Sequence, residues 1–159
     1  MSLLYRLAAP ADLANLLELE EECFEQDRIS GRSFRRLIGA PSAILLVADR
    51  DGELLGYALL LLRRGSDIAR LYSLAISRQA RGQGLGGALL EWCEEQAQAR
   101  GCRRLRLEVR TDNAGAIGLY QRRGYVRFAR SAGFYEDGSD AWRYEKPLGA
   151  PTPTARNPA

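Results

Sequence analysis

The stretch LYSLAISRQARGQGLGGALLEWCEEQA (Leu71–Ala97) reads as a strand, a glycine-rich turn and a helix. Gly82, Gly84, Gly86 and Gly87 crowd its centre. Glycine permits positive φ and close approach of the backbone to a ligand. The unpaired N–H groups of a helix start attract anions. The loop therefore points to a phosphate-bearing ligand, and which ligand it serves decides the fold.

Gly82, Gly84 and Gly87 fit the G-x-G-x-x-G spacing of a dinucleotide loop. That loop, however, should follow a first strand and be answered by an acid at the end of the next one. Here it lies mid-chain after three antiparallel-looking strands, and Glu108 falls inside the next strand rather than at its end. A P-loop is excluded because no Gly-Lys-Ser/Thr follows. A tight strand-to-helix turn needing glycine only for packing stays open, more easily for two glycines than for four. The remaining reading is a pyrophosphate cradle for coenzyme A: Arg81–Gly86 (RGQGLG) fits R-x-x-G-x-G, and Gln79–Gly84 (QARGQG) fits Q-x-x-G-x-G.

Working outward, Leu3–Ala8 reads as a strand. Pro10 opens a helical pattern carrying Leu13, Leu16, Leu17, Glu20 and Phe24, and Ser30 caps a second short helix that Gly39 and Pro41 stop. Ala43–Ala48 and Glu53–Arg64 are strands joined by a hairpin turn at Asp49–Gly52, and Ile68–Ile76 is the next strand. The helix after the glycines puts Leu85, Leu89, Leu90, Cys93 and Ala97 on one side. Arg103–Arg110 alternates strictly, with Leu105, Leu107 and Val109 on one face. Ala114–Gly124 is a short helix, and two last strands close a hairpin across Glu136–Asp140. The order βααβββαβαββ is that of an α/β fold with a mixed central sheet flanked by helices. Residues 1–148 read as a single domain, and 149–159 as a Pro-rich disordered tail.

Composition narrows the function. A chain of 159 residues with 46% apolar and 27% charged residues suits one globular core. A net charge of +3 is too small to argue for nucleic acid. No apolar run approaches the ~20 residues of a membrane span, and the start MSLLYRLAAP lacks a signal-peptide pattern. Cys23, Cys93 and Cys102 are scattered, without metal spacing, and read as reduced cytoplasmic thiols. The chain has no histidine, which removes Ser-His-Asp and Cys-His catalysis together.

A second motif lies downstream. Leu107–Tyr125 reads LEVRTDNAGAIGLYQRRGY, which is similar to the L-E-V-R-x-x-N-x-x-A-x-x-L-Y-x-x-x-G-F/Y run of RimI-type N-acetyltransferases. With the glycine loop and the element order, the sequence to about Leu148 resembles the GNAT superfamily of bacterial and other acyl-CoA-dependent N-acetyltransferases. RimI-type members acetylate the N-terminal alanine of a ribosomal protein. The resemblance implies a GNAT fold, acetyl-CoA as co-substrate and direct attack by a primary amine. The acceptor it implies is the N-terminus of a protein or peptide.

The chemistry needs a held cofactor, a neutral amine, a stabilised oxyanion and a proton for the leaving thiolate. The resemblance assigns the pyrophosphate to the backbone of Gly82, Gln83, Gly84, Leu85, Gly86 and Gly87; Arg81 reads equally as an added charge there or as a solvated loop arginine. It assigns the acyl-pantetheine arm to Leu74, Ala75 and Ile76, and a cofactor hydrogen bond to Asn113, which also reads as a helix N-cap. Glu108 is the implied proton acceptor; on position alone it is a sheet-face carboxylate flanked by Arg106 and Arg110. Tyr120 is the implied acid; on position alone it completes an apolar helix face with Ile117 and Leu119. Tyr72 and Tyr135 are candidates for shaping the acceptor site, whereas Trp92 and Cys93 read as packing residues. No metal is expected.

In two places the sequence departs from the RimI pattern. RTDN replaces the commoner R-x-S-N, and SAGFYEDG differs in the final hairpin. Both bear on the acceptor more than on the chemistry. A small amine (polyamine, amino acid or antibiotic) is the alternative acceptor, and an acyl-CoA sensor without turnover is the alternative class. The closing strands can pair within a monomer or across a homodimer.

Overall fold

The computed structural model describes residues 2–149, so the expected tail lies, from residue 150 on, outside the described residues. The last described residue, Gly149, accepts a hydrogen bond from Gln98 Nε2 at 2.7 Å.

A seven-stranded mixed sheet runs through the molecule: β1 (Leu3–Leu7), β2 (Ala43–Arg50), β3 (Glu53–Leu61), β4 (Ile68–Ile76), β5 (Arg104–Arg110), β6 (Val126–Ser131) and β7 (Ala141–Pro147). Its spatial order is β1-β2-β3-β4-β5-β7-β6. Four helices cover it: α1 (Leu13–Cys23), α2 (Gly31–Leu37), α3 (Leu85–Ala99) and α4 (Ala114–Arg122). The order of elements is the one the sequence predicts, and β6 pairs with β7 within the chain. Pro10 opens a single 3₁₀ turn rather than α1 itself. Asp12 ends that turn, where its carboxylate accepts from the Ala9 N–H at 2.7 Å and pairs with Arg6.

The continuous apolar runs of β2 and β3 are explained by burial on both faces. On one face α3 and α4 pack Leu89, Leu90 and Tyr120 against Leu46, Leu60 and Leu107. On the other, α1 and α2 pack Leu16, Leu19 and Phe34 against Leu45, Tyr57 and Leu59. Asp51 and Gly52, both at positive φ, make the two-residue turn between β2 and β3.

The sheet is not uniform. β2, β3 and β4 pair antiparallel, but β4 and β5 run parallel and stay paired only from Ile68↔Arg104 to Leu71↔Leu107. Just there β4 carries a bulge: Leu59 faces Ser73 and Leu60 faces Leu71, leaving Tyr72 as the extra residue. Bulges bend and twist a strand. Beyond Leu71 the two parallel strands part, and the gap opens a cleft through the sheet.

Candidate active site

A cavity of about 620 Å³ fills that cleft. Its walls include Arg70 to Leu74 of β4, Glu108 to Arg110 of β5, and Asn113 and Tyr120 at and within α4. Of the residues singled out in the sequence, Leu74, Asn113, Glu108 and Tyr120 meet here, and Tyr72 and Tyr135 join them. Ala75, Ile76, Arg81 and the glycine loop do not line it.

Glu108 stands in strict alternation between buried Leu107 and Val109, and its side chain is 7% exposed. Its Oε1 accepts from Arg70 Nε at 2.9 Å and its Oε2 from Arg143 Nε at 3.3 Å. The expected flankers, Arg106 and Arg110, turn elsewhere. Arg106 pairs with Glu145 at 2.9 Å, and Arg110 pairs with Asp137 at 3.0 Å and Asp27 at 3.2 Å. Register explains the exchange, because Arg143 of β7 lies directly opposite Glu108 and Arg70 comes from the strand on the other side.

Tyr120 is both a core residue and a cavity residue. It is 6% exposed, and its ring meets Tyr125 edge-on at 5.9 Å. Its hydroxyl has no hydrogen-bond partner among the described residues, and the residue lines the cavity. Burial pushes the phenol well above its usual pKa, so it holds its proton at neutral pH. Burial likewise pushes Tyr135 up to about 12, and the Arg110 guanidinium stacks 4.2 Å above that ring. Asn113 Oδ1 accepts from Ala116 N–H at 3.1 Å, as an N-cap should, which leaves its amide nitrogen for another partner.

The four glycines divide into two kinds. Gly82 (φ 79°) and Gly84 (φ 84°) occupy left-handed backbone, and a Cβ on either would meet nothing within 4 Å. Gly86 and Gly87 face α4: an added Cβ would lie 3.3 Å from Leu119 Cδ2 and 3.7 Å from Arg123 Nη1, respectively. So the packing reading accounts for Gly86, where 3.3 Å is tight, but not for Gly87, where 3.7 Å is ordinary contact, while Gly82 and Gly84 open onto free space at the start of α3. The first-turn N–H groups of α3 have no intrahelical acceptors. Arg81 bends back from the loop, its Nε donating to Ile76 O at 3.0 Å.

Sequence reasoning missed three features. Glu20, on α1, is 2% exposed and lines the cavity. Its Oε2 accepts from Ile29 N–H at 2.7 Å, and its Oε1 accepts from the Tyr57 hydroxyl, which also lies 2.9 Å from Ser73 Oγ. Burial raises the Glu20 carboxyl above its usual pKa against the opposing effect of these hydrogen bonds. The second feature spans the cleft: Asp27 N–H donates to Glu136 Oε1 at 2.9 Å, and Glu136 N–H donates to Asp27 Oδ1 at 3.2 Å. The α1–α2 loop is thereby tied to the β6–β7 loop. The third is the Arg70–Glu108–Arg143 bridge.

Among the described residues, no helix is long and apolar enough to cross a membrane. No group of three His, Cys, Asp or Glu residues among them is placed to hold a metal.

The family model described as "Acetyltransferase (GNAT) family" matches residues 12–125. A curated Bacillus subtilis relative, "Putative [ribosomal protein bS18]-alanine N-acetyltransferase", is 33% identical over 131 residues, covering 82% of this chain and 85% of its own. The crystal structure of the ribosomal-protein-S18-alanine N-acetyltransferase from Escherichia coli superposes with a TM-score of 0.82 at 26% identity, covering 93% of this chain and 95% of that one. The PaiA N-acetyltransferase of Thermoplasma acidophilum, solved in complex with coenzyme A, has a TM-score of 0.80 at 22% identity and covers 92% of this chain and 99% of its own.

Proposed function

We infer, on the premise that the chain belongs to the acetyltransferase (GNAT) family, that Glu108 and Tyr120 form the acid–base pair of an enzyme that acetylates the N-terminal α-amine of a protein or peptide. It is an acetyl-CoA-dependent N-acetyltransferase. The observation that carries the reading is that buried Tyr120, whose hydroxyl has no partner among the described residues, and Glu108 line one cavity at the point where β4 and β5 part.

The residues present fit acetyl-CoA. Gly82 and Gly84 leave open space above left-handed backbone, and the N–H groups from Leu85 to Gly87 start a fifteen-residue helix. These groups would hold the pyrophosphate, with the Arg81 guanidinium adding charge. The Asn113 amide nitrogen would donate a further hydrogen bond, and the backbone of Leu74, Ala75 and Ile76 would line the acyl arm. Acetyl-CoA supplies a thioester carbonyl open to attack. Glu108 takes the proton of the incoming ammonium through water, since arginines already occupy both of its oxygens. Tyr120 would donate a hydrogen bond and then its proton to the departing thiolate as charge develops there.

An α-amine, at pKa ~8, is easier to neutralise than a lysine at ~10.4 by roughly 3 kcal/mol. A carboxylate acting through water therefore suits an N-terminal amine better than a lysine side chain. The relatives that act on ribosomal-protein alanine support the same class of acceptor. We place residues 1–148 as the catalytic domain, active as a monomer or homodimer in a bacterial cytoplasm, where the three free cysteines stay reduced.

The test is mass spectrometry of a mixed peptide library incubated with the protein and acetyl-CoA, with free and blocked N-termini. Acetylation confined to free α-amines is expected. A library left unmodified, while a polyamine or antibiotic is acetylated, would assign the enzyme to small amines. Coenzyme A release at background with every acceptor would make the protein a binding module.

A further inference from the structure

Beside the catalytic cavity lies a second groove of about 470 Å³. The two share Ile29 and the bulge residue Tyr72, so they meet across a ridge formed by those side chains. The grooves differ in chemistry. The catalytic cavity is lined by carboxylates, including Glu20, Glu25, Asp27 and Glu108, with Arg110 paired to Asp27 and Arg70 to Glu108. The second groove has an apolar floor of Leu37, Leu59, Leu61 and Leu62, and its charged residues are Arg28 and Arg36; no carboxylate lines it. Arg28 donates to two main-chain carbonyls, Phe24 O at 2.6 Å and Glu21 O at 3.1 Å, and its charge also reaches the Glu20 carboxyl, but it enters no salt bridge among the described residues. Arg36 is exposed and enters no salt bridge among the described residues.

We propose that this groove is an acceptor subsite: the polypeptide downstream of the acetylated N-terminus crosses the Ile29–Tyr72 ridge and lays an acidic side chain between Arg28 and Arg36. The inference rests on the α-amine reading above. Two observations name the occupant. The groove adjoins the cavity in which the amine reacts, with Ile29 and Tyr72 common to both. Its charge also suits an anionic side chain, since Arg28 and Arg36 line it and no carboxylate among the described residues does. Tyr72 gives the chain an exposed aromatic edge to pass over, since the bulge turns it out of the ladder at 48% exposure. A guanidinium binds a carboxylate through paired, charge-assisted hydrogen bonds, which makes the contact selective as well as attractive.

The experiment uses the full chain, acetyl-CoA and a peptide set that holds the first two residues fixed while Glu, Ala or Arg is moved through positions three to seven. The initial rate is read for wild type and for Arg36→Glu. In wild type, one short window of positions should favour Glu over Arg by about tenfold in kcat/KM, chiefly through KM, and the preference should weaken at high salt. Arg36→Glu should flatten or invert that preference in the same window. Equal rates for Glu and Arg at every position, with the peptides still acetylated, would overturn the subsite and leave the α-amine reading standing. So would an unchanged preference in Arg36→Glu. Failure of every peptide, with a small amine acetylated, would overturn both.

Discussion

Replacing Glu20 tests how the acceptor side of the cleft is held. In Glu20→Ala the Ile29 N–H, in a residue 8% exposed, loses its 2.7 Å acceptor, and the Tyr57 hydroxyl keeps only Ser73. An orphaned buried donor costs about 1–3 kcal/mol, and a lost hydrogen bond to a charged group about 1.5–3. Relief from burying a carboxylate offsets part of this, leaving a net loss of about 2–4 kcal/mol. For a chain of this size that corresponds to a fall in Tm of roughly 5–15 °C. Glu20→Gln should behave differently. Its carbonyl accepts from Ile29 and its amide donates to Tyr57, whose hydroxyl then donates to Ser73, so each bond has a successor. At neutral pH its Tm should lie close to that of wild type or above it. The pH dependence separates charge from shape. Burial raises the carboxyl in the folded state above its ordinary 4.5, so Glu20 contributes stability that is full below about pH 4.5 and is lost as pH rises through the raised value. The Tm difference between Glu20→Gln and wild type should therefore grow in favour of Gln across that window and then level off. Differential scanning calorimetry from pH 4 to 8 measures it. An alanine variant melting within a degree of wild type, or a Gln–wild type difference flat with pH, would refute the reasoning.

Tyr120→Phe removes a hydroxyl with no partner among the described residues, so Tm should hold while kcat falls by about 10²-fold or more; full turnover would remove Tyr120 as the acid. Glu108→Gln should lower kcat/KM by about 10²–10⁴-fold, with binding of acetyl-CoA, measured by calorimetry, retained. In Gly56→Ala the added Cβ would sit 2.7 Å from Ala75 O and 2.8 Å from Ile76 Cδ1, so the variant should lose about 1–3 kcal/mol and raise the KM for acetyl-CoA by displacing the end of β4. An unchanged melting curve would show that the strand end yields without cost.

Much of this molecule was legible in the chain because its signals are local. The strict alternation of Arg103–Arg110, the Ser30 cap and the glycines before Leu85 each fix an element, and the element order follows. Glu108 and Tyr120 were found through the LEVR–LYQRRGY motif, not through their surroundings. Their partners were hidden because register, not sequence spacing, supplies them: Arg70 and Arg143 are 38 and 35 residues from Glu108. Glu20 did leave a trace. It occupies an apolar-face position between Leu16 and Phe24, and a carboxylate there has to be either paired or raised in pKa. The Asp27–Glu136 tie left none, since it depends on two loops that meet only after the sheet has formed.

The parting of β4 and β5 also bears on how the enzyme comes into being. Every antiparallel pairing of the sheet lies within one of two continuous stretches, 3–76 or 104–147, and a parallel pairing of four residues joins them. Three of these pairings, β2–β3, β3–β4 and β6–β7, are hairpins between consecutive strands, which close cheaply and early, whereas the parallel joint must wait for its crossover helix to pack. A refolding chain can therefore own all seven strands and still lack the seam that sets Arg70 beside Glu108. Acetyl transfer should return later than the circular-dichroism signal of the strands. A protein stalled at that stage would be folded in outline and catalytically silent, its active site the last thing the chain makes.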